Sequence, residues 1–331
     1  MSRILITGGA GFIGSHLVGA CLDAGYQVHI TIRPGSCEER LERFEGRVFC
    51  HRFDLRSELE LRHCVADVMP RVIFHVAASP RRPLYPRLAD ARDSLREELD
   101  CLISLMAAAA EVRRPPDRLV RTGSLAEYGA AQPPYREEAR EAPLTVYGAG
   151  LVAATHYVGA LQPRLPFPVA TGRLALVYGP TQSTNYLLPS LITRCLAGDR
   201  SLVRRPSDRR DLILVDDAVA ALLRMATAPL PGAAIINVSS GIAPTMREVA
   251  ELVLEHTCAD PALIEYGDGS LPTGAADLRG SPERAERLLG WRARTALSDG
   301  IARTVRWYRE HAFPAAIAAV NLLEDKAAGV A

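Results

Sequence analysis

Lysine is almost absent from this sequence. Lys326 is the only lysine, although lysine and arginine together number 39 among 331 residues. A GC-rich genome is enough to explain the preference for arginine. The shortage still limits the chemistry, because a step that needs a lysine must use Lys326 near the C-terminus or a substitute for it.

Paired cysteine spacing, net charge and long apolar runs are lacking as well. Widely separated cysteines predict neither a zinc site nor disulfides, so we expect no metal and infer a reducing cytoplasm. A formal net charge of +1 favours neither nucleic acid nor an anionic membrane surface as a partner. No apolar run approaches the roughly 20 residues that span a bilayer, and Arg3 leads into a strand rather than a signal peptide.

The first strand runs directly into a glycine-rich turn and an apolar helix. Gly8 permits the tight turn, Gly11 lets backbone N–H groups approach a pyrophosphate, and Gly14 allows the helix to pack closely on the strand. The alternative is a tight turn without a ligand. Strand, turn and helix occur in the required order, so we predict a dinucleotide site at the helix N-terminus. Its predicted contacts here are Gly8, Gly11, Phe12, Ile13 and Gly14.

The second predicted strand, Tyr26 to Ile32, ends without an acidic residue. An acid at this point would accept a hydrogen bond from the ribose 2′-OH, whereas an arginine accommodates a 2′-phosphate. Arg33 follows the strand and Ser36 is close behind it. We therefore predict NADP as the cofactor, with NAD as the alternative if Arg33 is only a solvated loop residue.

The third and fourth strands end in residues suited to the rest of a dinucleotide. After the third, Arg47 to Phe53, the Asp54 carboxylate can accept from an adenine amino group; the alternative is a helix N-cap. The fourth, Val72 to Ala78, is almost continuously apolar, and we interpret His75 within it as a core histidine. Small residues at its end leave room for a cofactor. The predicted contacts are Asp54, Leu55, Ala77 and Ala78.

Two long apolar helices are predicted in the middle of the chain. One extends from about Asp93 to Ala110, and the other begins near Thr145 and carries Tyr147 in its first turns. The segment from Leu151 to Leu161 is apolar on nearly every side, which indicates burial on two faces. We predict that these helices form a homodimer interface.

The remaining pattern continues to alternate between strands and helices. Strands are predicted over 118–121, 169–178, 209–217 and 234–238, and helices over 188–197 and after a capping box of Thr245 and Glu248. This order predicts an α/β fold, a Rossmann-type doubly wound parallel sheet with a smaller C-terminal α/β substrate lobe. We place the dinucleotide-binding domain at 1–180 with 211–240 returning to its sheet, the lobe at 181–210 and 241–312, and a C-terminal extension at 313–331.

These landmarks resemble the extended short-chain dehydrogenase/reductase family, in its nucleotide-sugar epimerase, dehydratase and ketoreductase branch. The similarity covers nearly the whole chain, from Arg3 to about His311. Besides the glycine turn, it rests on Asp54-Leu55, His75 to Ala78, Arg173 to Pro180, Arg210 to Asp217, Asn237 to Gly241, and Leu288 to Trp291.

The resemblance implies catalysis by a Ser or Thr, a Tyr, and a Lys four residues after the Tyr. Ser124 matches the serine and Tyr147 the tyrosine, which is also a predicted cofactor contact, but Leu151 stands where the lysine is expected. The phenol transfers the proton that accompanies hydride transfer, and the serine orients the substrate oxygen. A phenol titrates at about 10, so a nearby cation normally brings it toward working pH. The alternatives are a strand-end hydroxyl and a packed helix tyrosine.

A nucleotide-sugar substrate is also implied. Arg210 stands where the family places a diphosphate-binding arginine, and Arg279 is a second candidate, because guanidinium binds phosphate bidentately. The alternative for Arg210 is a salt bridge to Asp211 or Asp217. Ser79 and Ser124 complete the predicted substrate contacts.

Two further residues depart from the family pattern. Leu176 replaces an Asn that often binds the diphosphate, and Glu98 replaces an Asn that commonly assists the tyrosine. Without the lysine, the tyrosine must be tuned by the nicotinamide charge, by the helix N-terminus, or by an arginine such as Arg81 or Arg82.

Two functions follow from these residues. The first is an NAD(P)-dependent enzyme acting on a nucleotide-activated sugar or related carbonyl metabolite, specifically a ketoreductase with Tyr147 as proton donor, because NADPH usually serves net reductions. The alternative is a dinucleotide-binding protein without redox catalysis, which the departures at Glu98, Leu151 and Leu176 favour.

Overall fold

The computed structural model of the chain describes residues 2–78, 88–269 and 275–312. Ser79, Arg81, Arg82 and the predicted extension at 313–331, which includes Lys326, lie outside the described residues. The chain divides into two compact units. The first comprises Met1–Val177, Asp211–Ala243 and Pro272–Ala293, and the second comprises Tyr178–Arg210, Pro244–Leu271 and Arg294–Ala331.

Strands and helices alternate through the first half of the chain. The strands are β1 (Arg3–Thr7), β2 (Gln27–Ile32), β3 (Val48–Arg52), β4 (Val72–His75), β5 (Arg118–Ser124), β6 (Val169–Leu174), β7 (Leu176–Tyr178), β8 (Ser201–Val203), β9 (Arg209–Arg210), β10 (Leu212–Leu214), β11 (Ala234–Val238), β12 (Ile264–Tyr266) and β13 (Asp277–Leu278). The α-helices are α1 (Phe12–Asp23), α2 (Glu58–Val68), α3 (Leu88–Leu95), α4 (Cys101–Glu111), α5 (Val146–Leu161), α6 (Leu187–Ala197), α7 (Val215–Thr227), α8 (Met246–Thr257), α9 (Glu283–Leu289) and α10 (Leu297–Ala312).

A seven-stranded parallel sheet forms the centre of the first unit. Its strand order is β11-β6-β5-β4-β1-β2-β3, and Ile4 of β1 lies between Val28 of β2 and Val72 of β4. The strand order reverses between β1 and β4. The carboxyl ends of these two strands therefore form the switch point, where doubly wound sheets bind their ligands. The predicted doubly wound α/β fold is confirmed.

Helices cover both faces of this sheet. Leu17 of α1 and Leu222 of α7 belong to the core cluster on one face, and Leu61 of α2, Leu105 of α4 and Val158 of α5 belong to the cluster on the other. Because both faces are covered, the strands are apolar along most of their length, which is why they read as apolar runs in the sequence.

The second unit contains α6, α8 and α10 and a short parallel pair of β8 and β12. The predicted capping box is present at the start of α8: the Thr245 hydroxyl accepts from the Glu248 N–H at 3.2 Å, and the Glu248 carboxylate accepts from the Thr245 N–H at 2.6 Å.

Among the described residues, no helix combines the length and the apolar character that a membrane span requires. The seven cysteines are free thiols.

Several predicted elements differ from those observed. β4 ends at His75 rather than Ala78, and β5 extends to Ser124 rather than residue 121. The strand predicted over 169–178 breaks at Ala175, whose N–H donates to Val238 while the next residue donates to Asp211, so the chain leaves the sheet there. The strand predicted over 209–217 ends at Leu214, where α7 begins. The long helix predicted from Asp93 is described from Leu88 and contains a π-helical turn over Arg96–Asp100.

The turn between β1 and α1 requires its glycines sterically. Gly8 has a φ of +75°, and a Cβ on it would lie 2.7 Å from the Cα of Ala77. A Cβ on Gly14 would lie 2.1 Å from the carbonyl oxygen of Gly8. The first turn of α1 therefore lies directly against the loop that leaves β1.

This contact predicts opposite effects for two helical Gly→Ala substitutions. Gly14→Ala should lower the free energy of unfolding by about 1–3 kcal/mol, because the new methyl group overpacks the turn. Gly159→Ala in α5 should raise it by about 0.5–1 kcal/mol, because nothing lies within 4 Å of that Cβ position. Equilibrium denaturation of both variants against the wild type measures the difference, and equal effects would contradict the steric argument.

Candidate functional site

A cavity of about 590 Å³ opens at the carboxyl edge of the sheet, at the switch point between β1 and β4. It is bordered by the ends of β1, β2 and β4 and by the segment that follows β3. Of the predicted contacts, Gly8, Gly11, Arg33, Ser36, Asp54, Leu55, Ala77 and Ala78 line it. The cavity thus brings together residues that are widely separated in the sequence.

The N-terminus of α1 is suited to binding an anion at this cavity. Gly11 is the N-cap and makes no side-chain cap, and the first turn carries no acidic residue. The N–H groups of a first helical turn have no partner within the helix, so they are free to donate to phosphate oxygens. The lack of side chains at Gly8 and Gly14 allows the turn to lie close to the helix. Phe12 and Ile13 are half-buried in the first turn of α1. These residues fit the pyrophosphate of a dinucleotide.

At one end of the cavity the charges are mainly positive. Ile32 ends β2, and Arg33, Arg40 and Arg56 line the cavity beyond it. Asp54 is ion-paired with Arg56 at 2.5 Å. This hydrogen bond lowers the pKa of Asp54 to about 2, so the carboxylate is charged and can accept further hydrogen bonds.

The alternative interpretation of Asp54 as a helix N-cap is wrong. The N-cap of α2 is Ser57. The Asp54 carboxylate instead accepts from the Arg56 backbone and side chain, at 3.0 Å in each case. The carboxylate thus closes a local turn from Asp54 to Arg56, immediately before the N-cap residue Ser57.

His75 at the end of β4 is a buried, hydrogen-bonded core residue, as interpreted from the sequence. Its Nδ1 lies 2.8 Å from the Thr7 hydroxyl. Burial, reinforced by the charge of Arg121, lowers the pKa of His75 to about 3, so the imidazole is neutral at neutral pH.

Ser124 ends β5 and begins a 3₁₀ turn. Its N–H donates to the Glu127 carboxylate at 3.1 Å, and its hydroxyl oxygen accepts from the Ala126 N–H at 3.1 Å. An accepting hydroxyl keeps its own hydrogen for donation. Ser124 can therefore cap the turn and also donate to a substrate oxygen.

Tyr147 lies half-buried in the first turn of α5, whose N-cap is Thr145. A Cβ on Gly148 would lie 2.6 Å from the carbonyl oxygen of Ala126. Ser124 is two residues before Ala126, so this close approach brings the chain around Ser124 next to the chain around Tyr147. The two predicted catalytic residues are thus held on adjoining segments.

The three departures from the family pattern have different surroundings. Leu151, within α5, is almost fully buried, and Glu98 is buried in the π-helical turn. A Cβ on Gly150 would lie 3.5 Å from the Cβ and Cγ atoms of Glu98, so α5 packs against the stem of this side chain. Leu176, by contrast, is 43% exposed in β7.

A buried ion-pair network lies beneath Ser124. The Glu127 carboxylate, fully buried, accepts from Arg173 Nε at 2.9 Å and from the Thr155 hydroxyl at 2.8 Å. Arg173 also pairs with Glu141 at 2.5 Å and lies over the Tyr128 ring at 4.4 Å. Burial alone would lower the pKa of Arg173, but Glu127 raises it above its usual value.

Sequence reasoning missed this network, although a signal for it was present. Arg121 and Arg173 stand inside strands that are otherwise apolar. Arginine is almost never fully buried without a partner. Two arginines at such positions therefore indicate buried carboxylates nearby.

Each predicted diphosphate-binding arginine already has a carboxylate partner. Arg210 pairs with Asp208 at 2.6 Å, a carboxylate other than the Asp211 and Asp217 considered from the sequence. Asp211 accepts instead from the Ser240 and Gly241 backbone N–H groups at 2.9 Å. Arg279 pairs with Asp277 at 3.3 Å.

Comparison with known proteins gives consistent matches along the chain. The NAD-dependent epimerase/dehydratase family matches residues 4–239. The UDP-glucose 4-epimerase of Mycolicibacterium smegmatis is 30% identical over 323 residues, covering 93% of this chain and 98% of that protein. The dTDP-glucose 4,6-dehydratase of Neisseria gonorrhoeae is 25% identical over 342 residues, covering 93% and 96%.

Solved structures show the same likeness. The structure of MoeE5 in complex with UDP-glucose and NAD is 29% identical, covers 93% of this chain and 99% of its own, and has a TM-score of 0.82. The glycine turn, the cavity at the switch point and these matches agree: the chain belongs to the NAD-dependent epimerase/dehydratase family of enzymes, within the extended short-chain dehydrogenases/reductases.

Proposed function

We propose that this enzyme is an NADP-dependent ketoreductase of a nucleotide-activated sugar, with Tyr147 as proton donor. The observation that carries the proposal is the positive end of the cavity, where β2 ends without a carboxylate and Arg33 and Arg40 follow. A guanidinium there binds a 2′-phosphate, and reduced NADP usually serves net reductions. NAD is the alternative, because the MoeE5 structure contains it.

Proton transfer is the task of Tyr147 in this proposal. When bound, the nicotinamide supplies the hydride to the carbonyl carbon. The Tyr147 hydroxyl gives its proton to the carbonyl oxygen, so the ketone becomes an alcohol and the phenol becomes a phenolate. Ser124 donates a hydrogen bond to the same oxygen and holds it in place. In the reverse direction the phenolate takes the alcohol proton.

The start of α5 favours this chemistry. Tyr147 is its second residue, where the partial positive charge of the helix N-terminus stabilises a negative charge. This effect is worth about 0.3–1 kcal/mol at an exposed site, which is less than a full positive charge nearby. The missing lysine at Leu151 therefore leaves a deficit that other residues must make up.

The proposed substrate is a nucleotide sugar, bound through its diphosphate by Arg210 and Arg279. The names of the relatives support this class, since they include a UDP-glucose 4-epimerase and a dTDP-glucose 4,6-dehydratase. Ser79 remains a predicted substrate contact, and it lies outside the described residues. The cytoplasmic location remains a prediction.

Epimerisation is the second candidate function, favoured by the 30% identical relative. A dinucleotide-binding role without catalysis is not favoured, because the relatives are named as enzymes. The two reactions differ in their net consumption of reduced cofactor. A ketoreductase consumes one reduced cofactor for each alcohol formed, whereas an epimerase returns an isomer with no net change in the cofactor.

An assay with UDP-glucose, dTDP-glucose and their 4-keto derivatives separates these functions. Loss of the reduced nicotinamide absorbance at ~340 nm with a keto sugar supports the ketoreductase, and isomer formation without it supports the epimerase. Tyr147→Phe should remove turnover and leave cofactor affinity unchanged, while Ser124→Ala should lower the rate roughly 10²-fold. Tyr157→Phe, on the exposed side of the same helix, is the control. Wild-type turnover in Tyr147→Phe would exclude the proposed donor.

Cofactor choice can be tested at Arg33. Arg33→Ala should weaken NADP binding by about 1–3 kcal/mol, the scale of a charge-assisted contact, and leave NAD binding nearly unchanged. Arg47→Ala, an exposed arginine away from the cavity, should change neither. Calorimetric titration of both cofactors gives the comparison. Equal losses for the two cofactors, or tighter NAD binding by the wild type, would count against NADP.

We also propose that the protein is a homodimer through its long helices. Leu95 of α3 and Tyr157 of α5 are 46% and 48% exposed, so both helices present apolar surface. Light scattering at micromolar concentration should give twice the 35.9 kDa chain mass. Leu95→Arg and Tyr157→Arg should shift the mass toward the monomer, and Leu202→Arg, equally exposed on β8, should not. A wild-type monomer would refute the dimer.

A further inference from the structure

The side chain of Arg121 is enclosed beneath the first turns of α5. It projects from β5 and is 1% exposed. Its Nη1 donates to the Thr155 hydroxyl at 3.1 Å, and its Nη2 donates to the carbonyl oxygen of Leu151 at 3.5 Å. The guanidinium therefore lies against the backbone of the residue that replaces the family lysine.

Charged and titratable groups on five elements interact electrostatically with Arg121. They are Glu98 from the π-helical turn, Glu127 from the turn after β5, Arg173 from β6, His75 from β4 and Tyr147 from α5. Burial lowers the pKa of Arg121, while Glu127 and Glu98 act against that shift. His75 is neutral, so it adds no charge of its own.

An interaction between two titrating groups acts equally on both. Ionised Tyr147 raises the pKa of Arg121, so by linkage the guanidinium stabilises the phenolate by the same free energy. Arg121 also suits a buried position better than a lysine, because guanidinium keeps its proton where an ammonium readily loses one.

We propose that Arg121 is a positioning residue that supplies, from the strand below α5, the fixed positive charge that the family lysine supplies from the helix. This assignment rests on the proposed role of Tyr147 and concerns the charge alone. A guanidinium at this place keeps the tyrosine able to ionise near working pH although residue 151 is a leucine. Arg121 also neutralises buried carboxylates, so the test must separate that structural role from an effect on Tyr147.

The ionisation of Tyr147 can be followed without any substrate. The tyrosinate absorbance of each protein is titrated against pH, and the curve of the same protein carrying Tyr147→Phe is subtracted. In Arg121→Met the midpoint should rise by about one to two pH units, the effect of removing one nearby buried charge. Arg121→Lys should raise the midpoint as well, because a buried ammonium loses its proton more readily than a guanidinium. Arg118→Met removes a second buried arginine of β5 and should not move the midpoint.

Loss of a buried charge can prevent folding, so the comparison is repeated in a second background. Arg121→Met/Leu151→Lys keeps the number of cations constant and is compared with Leu151→Lys alone. The protein that retains Arg121 should titrate about one pH unit lower or more. Equal midpoints in this pair, or an unchanged midpoint in folded Arg121→Met, would overturn the proposal.

The rate measured against pH distinguishes this inference from the proposed function. With whichever of the four nucleotide sugars turns over, the pH limb that belongs to Tyr147 should move with the tyrosinate midpoint, at unchanged KM. The rate falls through this limb as pH increases when Tyr147 donates its proton in ketone reduction, and rises through it when the phenolate accepts a proton in epimerisation or oxidation. A purely structural Arg121 would lower the amount of active enzyme at every pH and leave the limb in place. If Tyr147→Phe keeps full turnover, the proposed donor fails, whereas a fixed midpoint in the Arg121 variants refutes only the role of Arg121.

Discussion

The buried ion pair of Glu127 and Arg173 joins the elements on which the candidate site depends. Glu127 accepts from the Ser124 N–H, from Thr155 of α5 and from Arg173 of β6. A carboxylate with no exposure to water is tolerated only when such partners satisfy it. Loss of Arg173 would leave a buried charge uncompensated, and loss of Thr155 would leave the carboxylate without one of its donors, so the end of β5, the start of the 3₁₀ turn and the body of α5 are held in one arrangement.

Close approach at glycine positions sets the rest of the geometry. Gly14 brings α1 against the turn that leaves β1, and Gly148 brings α5 against the turn that carries Ser124. In both places a Cβ would fall within 3 Å of a backbone oxygen. These steric contacts also fix where the positive ends of α1 and α5 lie.

The buried arginines suit their interior positions for a physical reason. Arginine lines the cavity at Arg33 and Arg40, and it lies inside the sheet layer at Arg121 and Arg173. Only a group that keeps its proton when desolvated can hold a charge in the second environment. The protein therefore has fixed positive charges in its interior, in positions where a lysine would be able to lose its charge.

The sequence by itself determined the features that depend on neighbouring residues. The turn at Gly8 to Gly14, the order of strands and helices, and the Thr245 capping box follow from local spacing and apolar periodicity. The tertiary structure alone decided where β6 ends, which residue caps α2, and which groups surround Arg121. Those outcomes depend on partners far along the chain, such as Val238 for Ala175 and Glu98 for Arg121, and no local pattern of residue types encodes a contact at that separation.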